Sequence, residues 1–528
     1  MAAYAARGYT VQPFKCGPDF LDGMHHEAAV RAGTNDYNCH HEQQHSKNQR
    51  CEEHKPAVIR KSVNLDAWMM GSPTQMIASF HRHSHGADIC ILEGVMGLHD
   101  SKDGISDEGS TAQIARLLGV PVVLVIDGSK MARSVAAMAL GYTLMDAEVR
   151  VGAVVANRVG GVAHKQWIRE AVEHEGREDG GQLKDCGTGK AVMFAGAVPN
   201  DSCAKAPERY LGLVMPSERT EDKDIEDPSN RFLRLATLVE ENLDLHALLQ
   251  LAQSSCTPSQ PNNEVGLHHP PQSTCRIAIA EDAAFCFYYR DNLHLLQMAG
   301  AELVPFSPLS TPHLPPNLDG IYMGGGYPEL HAEQLEKNAS LRKDIKSFSE
   351  AGGVIFAECG GFMYLADKFY CGKDEPAREM CGVFPIAVRM TSHCNMYYAD
   401  IEFGPLKKSE ESQLSMFPAK GKCRGQRFHY SEVVDERDSD LNSAPLLVTP
   451  VRPGAKQEGE GYSVRNTIAS YFHLHFSSFT TNNESSIASP HNGEMTLADH
   501  FVQAAIAHSP CRKAHAVSFV SAATEIIL

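Results

Sequence analysis

Short apolar runs that alternate with helix-like stretches most constrain how this 528-residue chain folds. In the first half the runs are DICILEG (88–94), VPVVLVIDG (120–128), VRVGAVVANRV (149–159) and AVMFAGAVPND (191–201). Helix-like segments lie between them, including TAQIARLLG (111–119) and residues 131–141. Unbroken runs rich in β-branched residues suit strands covered on both faces. This order predicts parallel βαβ units in a doubly wound α/β sheet.

A stretch rich in Pro, Ser, Gln and Asn, residues 253–275, has almost nothing to bury and is predicted to be a linker. A second α/β series follows it, with strands predicted at RIAIA (276–280), AELVPF (301–306), DGIYMGGG (319–326) and GVIFAECGG (353–361). We therefore predict domains over 1–252 and 276–485 and a tail over 486–528. Functional groups in such sheets collect at the carboxyl ends of the strands.

Composition excludes several classes of protein. The net charge is −17 and no basic stripe interrupts it, which argues against nucleic-acid binding. No stretch reaches about 18 apolar residues and the N-terminus lacks the layout of a secretory signal, so no membrane partner is expected. Fifteen cysteines without a CxxC pair suit reduced thiols. We expect a cytoplasmic protein, with an organelle address left open.

Two polar segments without apolar periodicity, residues 34–61 and 174–190, are predicted to be loops. The first contains an HExxH pattern, His41 to His45, but its flanks offer no apolar face for a packed zinc-binding helix. The second contains GTGK (187–190), which resembles the end of a phosphate-binding loop. Lys184 stands where that loop needs its first Gly and Ala191 where it needs Ser or Thr, so we reject this match.

In the second half, Cys359 follows an apolar strand and precedes glycines and a helix-like FMYLADKF, the layout of a nucleophile elbow. A helix N-terminus there favours the thiolate, although a Cys at a strand end is more often buried packing. Backbone N–H groups of Gly324–Gly326 and Gly360 can stabilise an oxyanion. SYFHLHF (470–476) offers His473 and His475 as a base, although each by itself is more often structural.

Ordered motifs connect this site to a known family. AECGGFMYL, GGGYPELH (324–331), EDAAFCFYYRDNL (281–293), FHYSE (428–432) and SYFHLHF resemble the class I glutamine amidotransferase domain, flavodoxin-like in fold, of the cobyrinic acid a,c-diamide synthase family. The resemblance implies that Cys359 attacks the glutamine amide, with His473 as its base and His475 less favoured. It also implies a glutamine site with Gly325, Gly326 and Gly360. The wider class has HxE here, but position 475 is His and no orienting carboxylate can be named.

The first half resembles the same family in VQPFKCGPDFLD (11–22), NLDAWMMG (64–71), LEGVMGLHD (92–100), GSTAQIARLLGVPVVLVIDGSKMARS (109–134), NRVG (157–160) and PERYLGLV (207–214). This implies a P-loop-type, dethiobiotin synthetase-like domain that uses ATP. Asp19 and Glu93 would bind Mg²⁺, Lys15 phosphate and Asn157 the adenine edge, while Asp22 matches an acid of the site. The family activates the c and then the a acetate of cobyrinate as acyl phosphates, which ammonia from glutamine displaces. A homodimer is left open.

The family opens with a strand and a GxxxxGK[ST] loop about 25 residues before VQPFK, whereas this sequence begins at MAAYAARGYT. We therefore expect the synthetase domain to lack its first βα unit and a central strand, and the chain as written to bind ATP poorly. An incomplete gene model is preferred over a true loss of the loop. AVSFVSAATEIIL (516–528) resembles the start of a cobalamin-binding protein of the vitamin B12 uptake type.

Three alternatives stay open. The chain could be a relative of the family that amidates another tetrapyrrole, or it could be a cobyric acid synthase. The motifs PERYLGLV and SYFHLHF favour the diamide synthase. A chain that has truly lost its phosphate loop would be a corrinoid-related protein with glutaminase chemistry at most.

Overall fold

A computed structural model describes two compact units of the chain. One comprises Met1–Ala67 with Met76–Val265, and the other Trp68–Gln75 with Gly266–Leu528. The described residues are 1–45, 58–173, 183–185, 187–201, 208–209, 212–216, 228–255, 273–372, 375–403, 421–436, 442–452, 454–481 and 495–510. Among them, no helix is both long and apolar enough to cross a membrane. The division after Val265 falls inside the stretch predicted to be a linker, but no sequence pattern indicated that Trp68–Gln75 belongs to the second unit.

The first unit alternates strands and helices as predicted. Its elements are α1 (Ala2–Ala6), β1 (Val11–Cys16), α2 (Leu21–His45), β2 (Val63–Leu65), α3 (Pro73–Ser84), β3 (Ile89–Glu93), α4 (Thr111–Leu118), β4 (Val122–Asp127), α5 (Ser134–Met145), β5 (Val151–Val159), α6 (Val162–Glu173), β6 (Met193–Pro199), β7 (Glu208–Arg209), β8 (Gly212–Leu213), α7 (Pro228–Asn242) and α8 (Leu245–Gln253). Strands β3 to β6 are the four apolar runs recognised in the sequence.

The parallel strands of the first unit form two sheets, not one. Within the described residues their orders are β2-β1-β3 and β4-β5-β6. Strand β1 pairs in parallel with β3, which places Lys15 opposite Glu93. The break falls between β3 and β4. Val123 and Val125 are exposed on one face of β4, so coverage on both faces, which the sequence predicts, is incomplete there.

The loop predicted over 34–61 is wrong in its first part, because helix α2 continues to His45. Small residues, not periodic apolar ones, pack this helix: a Cβ on Gly33 would lie 2.3 Å from the carbonyl oxygen of Ala2 in α1. The HExxH pattern therefore lies on the end of a helix, although its side chains and residues 46–57 lie outside the description. In the second segment, Asp185 accepts hydrogen bonds from the N–H and hydroxyl of Thr188, which makes GTGK a tight turn.

The second unit is built on one mixed sheet. Its elements are β9 (Cys275–Ala280), α9 (Arg290–Met298), β10 (Ala301–Phe306), β11 (Gly320–Met323), a 3-10 turn (Pro328–His331), α10 (Ala332–Lys337), α11 (Ala339–Glu350), β12 (Val354–Glu358), α12 (Gly360–Leu365), β13 (Ala366–Tyr370), β14 (Arg378–Glu379), β15 (Phe384–Phe403), β16 (Gly421–Glu436), β17 (Asn442–Pro450), β18 (Glu458–Val464), β19 (Thr467–Ser470), β20 (Phe472–Thr481) and α13 (Leu497–His508). The parallel strands β10-β9-β11-β12-β19 continue into β18-β17-β15-β13-β14, and β16 pairs with β15 and β20.

This sheet brings distant segments to one edge. Strand β12 pairs in parallel with both β11 and β19, so the turns after β11 and β12 lie side by side. The chain then passes through Tyr471 into β20, where His473 pairs with Gln426 of β16. Four of the parallel strands match the predicted runs, whereas no pattern had indicated the long antiparallel strands β15 and β16.

Two further predictions need correction. The helix-like FMYLADKF ends as a helix at Leu365, and Ala366–Tyr370 forms strand β13, which pairs with β15 and buries Phe369. The predicted tail over 486–528 contains helix α13, whose apolar face, including Leu497 and Phe501, is buried in the core of the second unit. Residues 516–528, which resemble a cobalamin-binding protein, lie outside the description.

Candidate active site

Cys359 sits on a tight turn between β12 and α12, as the elbow pattern predicts. Its φ is +48°, which is unusual for a residue with a side chain and marks a strained backbone. The turn is fastened by its own amide, which donates to the carbonyl oxygen of Ser470 at 2.8 Å. The thiol lies 3.9 Å from the carbonyl oxygen of Phe428 and is largely buried, with the residue 6% exposed. Strain held in place by surrounding contacts is typical of functional sites.

The glycines after β11 have different positions relative to the thiol. A Cβ on Gly325 would lie 2.5 Å from His473 Cε1 and 3.3 Å from Cys359 Cβ, so this glycine borders the Cys–His pair directly. Its own amide donates to Phe287, at 3.3 Å. The amides of Gly326 and Gly360 make no backbone hydrogen bond in the described part, and a Cβ on Gly360 would lie 3.1 Å from Gly326 N. These two neighbouring N–H groups can serve an oxyanion.

His473 is buried beside Cys359 and Glu358. Its Nδ1 lies 3.6 Å from Glu358 Oε2, and both side chains are almost fully buried. Burial lowers the pKa of His473, but interactions with Cys359 and Glu358 outweigh burial and raise the pKa of His473 to about 9. The site therefore favours the imidazolium form of His473, which can donate a proton to a leaving nitrogen. Glu358 is the residue of this group that sequence reasoning missed.

The second histidine considered as a base occupies a different environment. His475 is bound through Nδ1 to the hydroxyl of Ser477 at 2.8 Å, and its ring packs against Tyr289. A third histidine comes from the FHYSE motif: His429 stacks on Tyr471 with ring centroids 3.6 Å apart. Burial, helped by the charge of Arg427, lowers the pKa of His429 to about 3, so its ring stays neutral.

In the first unit, Lys15 gathers two of the predicted acids. Its Nζ lies 2.5 Å from Asp22 Oδ2 and 3.5 Å from Glu93 Oε2, and it donates to the carbonyl oxygen of Gly94. Burial lowers the pKa of Lys15, but Glu93 and Asp22 outweigh it and raise the pKa. Contact with a phosphate would therefore replace one of these three partners. His26 Nε2 also contacts Glu93 Oε2, at 2.5 Å, and no sequence signal pointed to it.

Asp19 lies close enough to Asp22 for the two charges to interact, and burial together with Asp22 raises the pKa of Asp19. Burial raises the pKa of Glu93, but contacts with His26 and Lys15 outweigh burial and lower the pKa of Glu93. Glu93 therefore stays ionised. No group of three or more metal-ligating side chains occurs among the described residues. Mg²⁺ needs only one or two carboxylates when substrate phosphates complete its shell, so an ionised, half-exposed Glu93 fits this ion.

Asn157 lies apart from this cluster in the chain's topology. It is at the carboxyl end of β5, opposite Asp127 of β4, in the other sheet of the first unit. Its side-chain oxygen accepts a hydrogen bond from the N–H of Arg158 at 2.9 Å. The described contacts join it to none of Lys15, Asp22 or Glu93.

Comparison with known proteins identifies the family of this chain. Residues 276–481 match the CobB/CobQ-like glutamine amidotransferase domain. The cobyrinate a,c-diamide synthase of Listeria innocua is 34% identical over 480 residues, which cover 90% of this chain and 92% of the relative. Those of Methanosarcina acetivorans and Syntrophotalea carbinolica are 35% and 36% identical, cover 90% of this chain in each case, and are themselves covered over 88% and 91%. The chain therefore belongs to the cobyrinate a,c-diamide synthase family of glutamine-hydrolysing amidotransferases.

Proposed function

We propose that the chain amidates the a- and c-acetate carboxylates of cobyrinate with ATP and glutamine, and that Cys359 and His473 carry its glutaminase step. The observation that carries the proposal is the strained turn at Cys359, which holds the thiol beside His473 and two neighbouring backbone amides. The matched length of the relatives, which includes the first unit, supports the amidation step.

In the glutaminase step, Cys359 Sγ attacks the side-chain amide carbon of glutamine after giving its proton to His473. The amides of Gly326 and Gly360 stabilise the oxyanion that forms. His473 then protonates the amide nitrogen, the C–N bond breaks, and ammonia leaves a glutamyl thioester. Water hydrolyses the thioester with His473 as base, which releases glutamate and restores the thiol.

In the synthetase step, an acetate oxygen of cobyrinate attacks the γ-phosphorus of ATP, and ADP leaves. Ammonia attacks the resulting acyl phosphate and phosphate leaves, so that one ATP and one ammonia are consumed for each amide. Lys15 supplies positive charge to the phosphoryl group, and Asp22 holds the Lys15 ammonium in place. Mg²⁺, where bound by Glu93 and Asp19, would neutralise phosphoryl charge.

The glutaminase step is tested on the chain itself. Wild type, Cys359→Ala and a control, Cys371→Ala, are assayed for glutamate release from glutamine and treated with a diazoketone analogue of glutamine. Cys371 is half-buried, and burial raises the pKa of its thiol to about 11, which makes it a matched but unreactive cysteine. Glutamate release and labelling should be lost only in Cys359→Ala. Release that persists in Cys359→Ala would overturn the nucleophile assignment.

The amidation step is tested with cobyrinate, ATP and Mg²⁺, with either glutamine or an ammonium salt as nitrogen donor. Cys359→Ala should lose glutamine-dependent diamide formation and keep ammonia-dependent formation, because the acyl phosphate forms elsewhere. A wild-type chain that releases glutamate but forms no diamide from either donor would overturn the synthetase half. Loss of both activities in a folded Cys359→Ala would overturn the division into two steps.

A further inference from the structure

We infer that Glu358 is the positioning carboxylate for His473, so that the residue directly before the nucleophile orients the base. The inference rests on the proposed glutaminase step. The wider class has an orienting Glu two residues after the catalytic His, but position 475 of this chain is His475. Glu358 would supply the carboxylate that this pattern lacks.

The carboxylate of Glu358 is fixed on both oxygens. Oε2 accepts a hydrogen bond from the hydroxyl of Tyr322 at 2.9 Å and lies 3.6 Å from His473 Nδ1. Oε1 accepts from the backbone N–H of Leu474 at 2.9 Å. Hydrogen bonds between catalytic groups are often long before substrate binds, so 3.6 Å is within reach of a bond that tightens in the Michaelis complex.

The strand that carries His473 is braced around the same carboxylate. Asn292 donates to the carbonyl oxygen of Leu474 at 2.7 Å and accepts from the N–H of Phe476 at 2.8 Å. Glu358 and Asn292 therefore hold the backbone on the C-terminal side of His473, while the carboxylate addresses its ring. Glu358 directly precedes Cys359 in the chain. This arrangement therefore couples the position of the base to that of the thiol.

Charge balance supports the same role. When His473 takes the thiol proton it becomes an imidazolium with almost no access to solvent. A buried cation needs a nearby anion, and a carboxylate in this place stabilises the imidazolium without itself taking a proton. Glu358 is 1% exposed, and its hydrogen-bond donors satisfy oxygens that would otherwise be buried without partners.

The titratable groups that face His473 come from three elements. Cys359 and Glu358 belong to β12 and its turn, and both raise the pKa of His473. His429 of β16 lies within electrostatic reach, but its own pKa of about 3 keeps it neutral at the pH of any assay. Tyr322 of β11 donates to Oε2, the same carboxylate oxygen that faces His473, and burial keeps the pKa of this phenol well above its usual value. Glu358 is thus the anion next to His473 that substitution can remove without touching the thiol.

The test is the pH profile of kcat/KM for glutamate release. In wild type, activity should fall as pH rises through about 9, where His473 loses its proton. In Glu358→Gln, which keeps the shape and removes the charge, this limb should move down by about one to three pH units. Glu358→Asp keeps the charge and should move this limb of the pH profile by less. It provides a second test of the role if Glu358→Gln folds poorly.

Glu460→Gln is the matched control, because Glu460 is also a glutamate of the second unit with little exposure, 14% for its side chain, but pairs with Arg427. It should leave the limb unmoved whatever it does to the rate. A limb that stays near pH 9 in both Glu358 variants would overturn the positioning role while the glutaminase step stands. A wild-type chain without glutamate release or labelling at Cys359 would instead overturn the proposed function beneath it.

Discussion

The backbone N–H of Cys359 donates to the carbonyl oxygen of Ser470 at 2.8 Å, although 110 residues separate them in the chain. This bond continues the parallel pairing of β12 with β19 by one residue, so the turn that exposes the thiol is registered against the segment that leads to His473. Strand pairing in the sheet, and not a flexible loop, therefore fixes the distance between the thiol and its base. Sites built on strands are held more closely than sites on loops.

Gly325→Ala should lower glutamate release by about 10²-fold. The added methyl would lie 2.5 Å from His473 Cε1, so the imidazole must move, and displacements of about 1 Å at reacting groups cost on the order of 10²-fold in rate. Ammonia-dependent diamide formation, assayed in parallel, should be unchanged. Gly141→Ala is the control, because a Cβ on Gly141 of α5 meets nothing within 4 Å. Equal glutamate release by Gly325→Ala and wild type would contradict the described geometry.

Glu93→Gln should lower diamide formation by about 10²-fold or more while leaving glutamate release from glutamine measurable. The substitution removes the charge that faces Lys15 and His26, and with it the proposed Mg²⁺ ligand. The measurement is ammonia-dependent diamide formation at saturating ATP, with Glu240→Gln as control. Glu240 is a half-exposed glutamate that pairs with Arg7, and its removal should have little effect. An undiminished synthesis rate in Glu93→Gln would refute its role.

The sequence predicted those parts of the site that have a local signal. An apolar run followed by Cys and glycines can be recognised within ten residues of sequence, and Cys359 lies on the predicted turn. Glu358 and His26 have no such signal. Each is a polar residue in no recognisable motif. Glu358 contacts its partner on β20, and His26 of α2 contacts its partner on β3, only in the folded chain. A contact made through tertiary pairing leaves no periodicity for sequence reasoning to detect.

The same reason explains the errors in the fold. The part of helix α2 after residue 33 was predicted to be a loop because it is packed through Gly33 and Thr34, and apolar spacing is the signal that identifies helices. Strands β15 and β16 were missed because polar residues interrupt their apolar residues at irregular intervals. Strands β3 to β6 and β9 to β12 were found because their sequences are almost wholly apolar.

Phe501→Ala should destabilise the second unit by about 3 to 5 kcal/mol, because it removes a fully buried ring from the core beside Tyr322. The measurement is calorimetric unfolding of the whole chain, in which one transition should shift down. Gln503→Ala, an exposed position on the same helix, should shift it by no more than about 0.5 kcal/mol. If Phe501→Ala shifted no transition, α13 would be a tail, as the sequence had suggested.

His473 should make stability depend on pH in a defined direction. Its folded pKa of about 9 lies above its ordinary value of 6.5, so its stabilising contribution is complete below pH 6.5 and is lost as pH rises through 9. The contribution is at most about 3 kcal/mol. The transition that Phe501→Ala identifies should therefore lie higher in wild type than in His473→Gln at pH 6, and the gap should narrow steadily up to pH 9.5. A gap that is constant over this range would mean that His473 is neutral in the folded chain, and the imidazolium that the glutaminase step needs would then have to form only when glutamine binds.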